Sequence, residues 1–562
     1  MFEIIRELLK KKLGDIPFEL GLPETKNRGH LATNVGFVLA GVEKKSPAEA
    51  AGEIKKYLED ESPKGLIEKI ETAGGGFLNI WFTKEAIQEE FVKISKSEKP
   101  KSKNKREKII VEYSQPNIAK PMHVGHLRST IIGDALANIL EFAGNKVTRW
   151  NYLGDWGTHF GKVIAAAKKI ESQGGLGALL TIKDVRSSVA AYREFTEEAK
   201  TNPALEEVAR AEFKKLEDND PENKKLWEES VKTSRAEIQE VYDLLGVDFD
   251  EWKGESAYEK DLEPLIEGLQ KGGFAKESEG ALVIGLEDEG LPPALIRKSD
   301  GATLYLTRDI ASLEDRIKKY KSDLILYVVD NAQSLHFEQL FAVAKKVGLR
   351  FNARHIKFGL VLSEDMKKLS TREGKQIDLV DVINESIKRA RAIVDKKQPD
   401  MTDAEKAEIA RVVGIGALKY NDLSQNRQSD IAFNWDKMLS LEGNSGPYLQ
   451  YSYTRLASIL QRANRIGKLN ESALSSEADL GLVLKLAQFP EVIRTVTENY
   501  FPHYLANYLY ELAREANGYY EKEPVLKAEG DLRDARLHLV KAVAETLKAG
   551  LGLLGIETVE RM

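Results

Sequence analysis

The stretch IIVEYSQPNIAKPMHVGHLRSTIIGDALANILEFAGNKVTRWNY, residues 109–152, decides the fold. It opens on an apolar, β-rich run that ends at Ser114 and predicts a short strand. Gln115 to Pro121 is loop, punctuated by Pro116 and Pro121. From His126 to Phe142 apolar residues recur at helical spacing, and Gly144 and Asn145 close that helix. KVTRWNY, from Lys146, is a second strand. Strand, Pro-rich loop, helix and strand in this order open a parallel nucleotide-binding sheet.

The same stretch carries the most chemistry. A helix N-terminus after a strand offers unpaired backbone N–H groups and the positive end of a dipole, which together seat a phosphate. Gly125 lets a ligand approach closely. His123 and His126 stand three apart at the helix entrance, where both rings can donate to oxygens of a triphosphate as charge builds on the α-phosphorus. On spacing alone the pair is equally an ordinary set of helix-capping residues. A zinc pair would need a further ligand, and neither a cysteine nor an HExxH motif supplies one.

Working outward, residues 1–95 read as an α+β unit: a first amphipathic helix, the turn at Gly74, Gly75 and Gly76, and a strand FLNIWF from Phe77. A basic linker, 96–107, follows, with Lys96, Lys99, Lys101, Lys103, Lys105 and Arg106 around Pro100. Such runs are most often solvated linkers. Residues 108–384 hold the sheet domain. A charged, helical insertion lies at about 165–255. Strand signals return at ALVIGL and DLILYVVD, and the turn at Ser299, Asp300 and Gly301 predicts a hairpin joining ALIRK to ATLYLT. A connecting helical segment spans 385–440, and 441–562 is helical throughout. The whole is a multidomain α/β chain.

With 562 residues the chain exceeds a single core, and 42% hydrophobic with 31% charged residues is the composition of a globular protein. There is no cysteine, which removes disulfides, thiol catalysis and cysteine-based metal sites. The net charge of −6 means that a polyanionic partner would have to meet locally basic surface. No run of about 18 apolar residues suggests a membrane span, and MFEIIRELLKKKLG is unlike a signal peptide, so a cytoplasmic protein is expected.

The sequence from Val111 to Lys162 resembles the heart of the arginyl-tRNA synthetases, with His123-Val-Gly-His126 as its form of the class I HIGH signature. NRGHLATNVGFVLA and GGGFLNIWF resemble the N-terminal tRNA-binding domain of that family. NSGPYLQYSYTRLASIL, YLYELAREANGYY and GLGLLGIETVERM resemble its all-α anticodon-binding domain. The resemblance implies a Rossmann-like catalytic domain that uses ATP, Mg²⁺, L-arginine and tRNA(Arg), with a monomer as the default state.

Residue roles follow from the same resemblance. A guanidinium is a planar, permanently charged fork of donors, and its pocket needs carboxylates and amide oxygens. Tyr305 and Asp309 match the family residues that meet the arginine side chain, and Gln333 matches its pocket glutamine. Glu112 and Asn117 match the contacts to the substrate amino group and carboxylate. Lys120, Gly125, His123 and His126 fall to ATP. The KMSKS loop is matched by Lys367–Gly374, a degenerate form in which Lys368, Ser370 and Arg372 stand toward ATP and Thr371 replaces the usual second lysine. Lys120 is the nearest cation able to stand in for it. The Trp and Gly of Gly154-Asp155-Trp156-Gly157, and His336 with Gln339, follow strands at the ligand-binding edge, where they line the pocket or only pack the sheet, and stay without roles.

Overall fold

The computed structural model describes all residues except 22, 24–27, 97–105, 119, 176, 184, 300 and 364–376. The basic run of the linker and the KMSKS-like loop, with Lys368, Ser370 and Arg372, therefore lie outside the described residues. The chain divides into two compact units, residues 104–439 and residues 1–103 with 440–562.

In the unit 104–439, β1 (Lys108–Glu112), α1 (Val124–Phe142) and β2 (Lys146–Asn151) form as the spacing predicts. Gly144 ends the turn after α1 at φ 98. Helices α2 (Thr158–Ser172), α3 (Ala178–Lys183), α4 (Val185–Thr201), α5 (Ala204–Glu217) and α6 (Pro221–Leu245) make the insertion before the chain returns at β3 (Glu251–Trp252). Asp220 caps α6 by accepting from the Asn223 N–H at 3.0 Å, Pro221 suits its first position, and Gly246 at φ 61 stops it. After α7 (Glu259–Lys271), strands β4 (Lys276–Ser278), β5 (Ala281–Ile284) and β6 (Ala294–Arg297) form a small antiparallel sheet. Then come α8 (Tyr305–Asp315), β7 (Leu324–Tyr327), α9 (Ser334–Lys346) and β8 (Ala353–His355).

The main sheet has the order β8-β7-β1-β2-β3, and every pair is parallel. Parallel neighbours need crossovers, which explains the alternation of strand and helix. The apolar cluster of Ile110, Trp150, Ile310, Leu313, Ile325, Leu340 and Val343 packs helices on the sheet. α1 is buried on nearly all sides, and Arg128 within it pairs with Asp422 of a later helix, α10 (Asp403–Leu423).

The predicted hairpin is corrected here. Arg297 and Thr303 form one antiparallel bridge and the Lys298 N–H donates to Ala302 at 3.0 Å, while Asp300 lies outside the described residues. YLT, however, begins α8 rather than a strand. Leu306, Ile310 and Leu313 are buried at helical spacing, and this burial overrides the β-propensity of Tyr and Thr.

In the other unit, an antiparallel sheet has the order Leu20–Gly21, Leu31–Thr33, Phe77–Phe82, Ile67–Ala73. The helix Lys84–Ser95 packs against Glu477–Ala487 from the helical C-terminal part. Gln88 donates to the Leu474 carbonyl at 2.7 Å, and Arg6 Nε donates to Glu491 Oε2 at 3.0 Å. The two ends of the chain thus share one unit.

Candidate active site

The residues of interest collect at the carboxyl edge of the parallel sheet, where open sheets bind ligands. At the start of α1, His123 is the N-cap and its Nδ1 accepts from the Gly125 N–H at 3.1 Å. The Nδ1 of His126 accepts from the His123 N–H at 3.0 Å. Both rings are therefore caps, and their tautomer follows: a neutral imidazole accepting at Nδ1 carries its proton on Nε2. Each such ring carries an N–H at Nε2. The centroids lie 4.0 Å apart. Burial, then the neighbouring His123 and Lys120, push His126 down to about 3, so its ring is neutral at physiological pH. A side chain at Gly125 would run into the His123 ring at 2.8 Å.

Lys120 is exposed on the loop before this helix. Its charge is close enough to depress both His126 and His159 of α2, the latter to about 4 with burial as the larger cause. The loop itself is held hard. Ser114 and Gln115 both adopt left-handed backbone, at φ 73 and 53, a conformation that costs non-glycine residues and collects at functional sites. The Ser114 hydroxyl lies 2.6 Å from that of Tyr242 in α6, and Thr130 donates to it at 2.8 Å. Asn117 bridges to Gly154, whose missing side chain leaves room for the Asn117 amide oxygen, 2.3 Å from where a Cβ would sit.

Beside this anion seat lies a set of carboxyl groups. Glu112, the last residue of β1, is 3% exposed and pairs with Arg316, while Gln115 donates to its Oε1 at 2.5 Å. Arg316 is itself buried, 4.6 Å above the Trp150 ring. Burial raises Glu112, the Arg316 charge lowers it, and the Asp309 charge raises it. Asp309, in the second turn of α8, feels both Glu112 and Glu255. Tyr305 opens α8 and is 61% exposed. Gln333 is exposed at the end of the turn that leads into α9.

Glu255 escapes the sequence reading. It follows β3, is 7% exposed, and its Oε2 has no hydrogen-bond partner among the described residues. Burial first and Asp309 second push its carboxyl up to about 8. Its signal in the sequence is GES at 254–256, just past a short strand at the carboxyl edge. Asp155 anchors this turn, its two oxygens accepting from the Ser256 N–H at 2.8 Å and the Ser256 hydroxyl at 2.7 Å. Trp156 packs edge-on against Phe213 and Trp227 of the insertion.

A parallel sheet with a His-Val-Gly-His helix entrance, followed by an all-helical C-terminal part, defines a class I aminoacyl-tRNA synthetase. The family model for the catalytic domain of class I tRNA synthetases (R) matches residues 87–435, that for the arginyl tRNA synthetase N-terminal domain matches 3–82, and that for the DALR anticodon binding domain matches 449–562. The chain belongs to the arginyl-tRNA synthetase family. It is 39% identical to the arginine–tRNA ligase of Saccharophagus degradans over 99% of this chain and 100% of that protein. With the ligase of Halothermothrix orenii it shares 38% over 100% and 99%. The arginyl-tRNA synthetase structure from Thermus thermophilus superposes at a TM-score of 0.83, with 28% identity over 100% of this chain and 99% of that one.

Proposed function

We propose that this enzyme activates L-arginine with ATP to arginyl-adenylate and transfers the arginyl group to the 3′-terminal adenosine of tRNA(Arg), releasing pyrophosphate and then AMP. One observation carries the reading: an anion seat and a cation seat lie at the same edge of one parallel sheet. The anion seat is the start of α1 with His123, His126, Gly125 and Lys120. The cation seat is Asp309 and Glu255 with Tyr305, and Gln333 lies at its rim. A pocket with two carboxyl groups suits a guanidinium, whose charge draws the proton from Glu255, and Asp309 repels anionic amino acids.

In the first step the arginine carboxylate attacks the α-phosphorus in line and pyrophosphate leaves. The His123 and His126 Nε2–H groups donate to phosphate oxygens as they gain charge, and Lys120 adds a cation to the leaving group. Glu112 and Asn117 hold the substrate amino and carboxylate groups, and Lys368, Ser370 and Arg372, by the family resemblance, bind ATP. Mg²⁺ carried on the phosphates of ATP would supply further positive charge there. In the second step a ribose hydroxyl of the terminal adenosine attacks the adenylate carbonyl. Positioning and charge account for most of the rate, without a nucleophilic side chain.

The DALR domain and the N-terminal domain support tRNA as the partner, and the basic linker adds phosphate contacts. Among the described residues no helix is long and apolar enough to cross a membrane. The reading takes the enzyme as a cytoplasmic monomer, which sedimentation of the full chain and localisation of a tagged chain would check. Pyrophosphate exchange with each amino acid, with and without tRNA, tests the whole. Exchange with glutamate or another amino acid, and none with arginine plus tRNA, would end it.

A further inference from the structure

Among the described residues Asp309 has one hydrogen-bond partner, His336, whose Nε2 lies 2.6 Å from Oδ2. The two come from different helices: Asp309 is the fifth residue of α8 and His336 the third of α9. Their side chains are 21% and 24% exposed, so the pair sits at the wall of the cleft and not in the core. The imidazole is braced. Phe337 meets it edge-on at 5.4 Å and is itself buried, 5.0 Å from the Tyr327 ring at the end of β7. This packing opposes movement of His336 with the carboxylate.

Asp309 would turn without it. Glu112 lies within reach of its charge, and a like charge drives a flexible carboxylate away toward water. An N–H fixed by packing opposes that motion, and a short bond to a carboxylate is the strong kind. We propose that His336 is a positioning residue for the amino-acid substrate: it holds one oxygen of Asp309 so that the other is presented to the guanidinium beside Glu255 and Tyr305. The inference rests on the reading of Asp309 as the guanidinium carboxylate. His336 touches no substrate itself, so its loss should appear in arginine binding and not in the chemical step.

The test is steady-state charging by the full-length enzyme carrying His336→Gln or His336→Leu. Gln keeps an N–H near the place of Nε2, whereas Leu keeps bulk and removes the donor. The Leu variant is expected to raise the arginine KM roughly tenfold or more, the scale of losing an outer partner that orients a ligand. Its kcat and ATP KM should stay within about twofold, the pattern of lost uniform binding. The Gln variant should recover most of the loss. In an Asp309→Asn background Leu should add little, because the two side chains act as one unit. An unchanged arginine KM in the Leu variant, equal losses in Gln and Leu, or full additivity with Asp309→Asn would each overturn the role. If the Leu variant does not fold, His336→Asn, whose amide stops short of Asp309, makes the same comparison with Gln. Asp309→Asn alone tests the underlying reading separately: an unchanged arginine KM there removes Asp309 from the pocket whatever His336 does.

Discussion

Replacing Glu255 by Gln should stabilise the protein at alkaline pH while it weakens arginine binding. Burial and the Asp309 charge carry this carboxyl from an ordinary 4.5 up to about 8. An unfolded glutamate loses its proton near the lower value, and the folded one keeps it until about 8. Between the two the folded chain binds one proton more than the unfolded chain, so Glu255 makes stability fall as pH rises through this window. The full span is worth about 5 kcal/mol. Water entry and side-chain motion reduce it, so a gain of about 2–5 kcal/mol is expected for the Gln variant near pH 9, and almost none near pH 5. Urea unfolding of both proteins at the two pH values, followed by tryptophan fluorescence, measures the difference, and other titrating groups cancel between them. The guanidinium of bound arginine draws the proton from Glu255, so the same change also removes a charge-assisted bond formed on binding, worth about 1.5–3 kcal/mol, and should raise the arginine KM about 10-fold or more. Parallel stability curves across pH would refute the burial argument. An unchanged arginine KM would remove Glu255 from the cation seat.

Three further outcomes are expected. His123→Ala or His126→Ala should lower single-turnover adenylation by roughly 10²–10³ through loss of an Nε2–H donor, and cost about 1 kcal/mol of stability through loss of the cap. A stability change with normal adenylation would leave the pair as caps alone. Lys120→Ala should slow adenylation by roughly 10² with the arginine KM nearly intact, and a parental rate would shift the pyrophosphate charge to other groups. Arg128 meets Asp422 through two bonds of 2.9 and 3.1 Å with both side chains buried, so Arg128→Met should cost about 3–5 kcal/mol in urea unfolding, with part regained on adding Asp422→Leu. A loss under about 1 kcal/mol would contradict the pairing.

The strand, loop and capped helix start of the proposed anion seat were legible because they are local. One stretch of about twenty residues contains the strand end, the loop, both histidines and the helix start, and the rules of caps and periodicity act over that distance. The tautomer of the histidines was not legible, since it depends on which ring nitrogen the backbone N–H groups reach. The stretch ATLYLT was misread for a related reason. Its residues favour a strand, and only the apolar face that Leu306, Ile310 and Leu313 bury makes it a helix. Thr307 then bonds the Ile296 carbonyl at 2.6 Å, fixing α8 to β6 and with it the direction of Asp309.

By itself the sequence determined the order of strands and helices apart from ATLYLT, the class of the protein and the residues proposed for the phosphate end, because each is written in contiguous residues with a fixed period or a short motif. Resemblance named Asp309 and Tyr305, but only the tertiary structure gathered the proposed cation seat and added Glu255 and His336 to it. Glu112, Glu255, Asp309 and His336 are far apart in the chain and share no spacing, and they meet because parallel strands must return through long crossovers to the same edge. The folded edge sets their charges: Glu112 meets an internal arginine, the buried Oε2 of Glu255 has no hydrogen-bond partner among the described residues, and Asp309 stands beside a histidine. The joining of the two chain ends in one unit has the same origin, since helix faces such as Lys84–Ser95 and Glu477–Ala487 find each other only after each is folded.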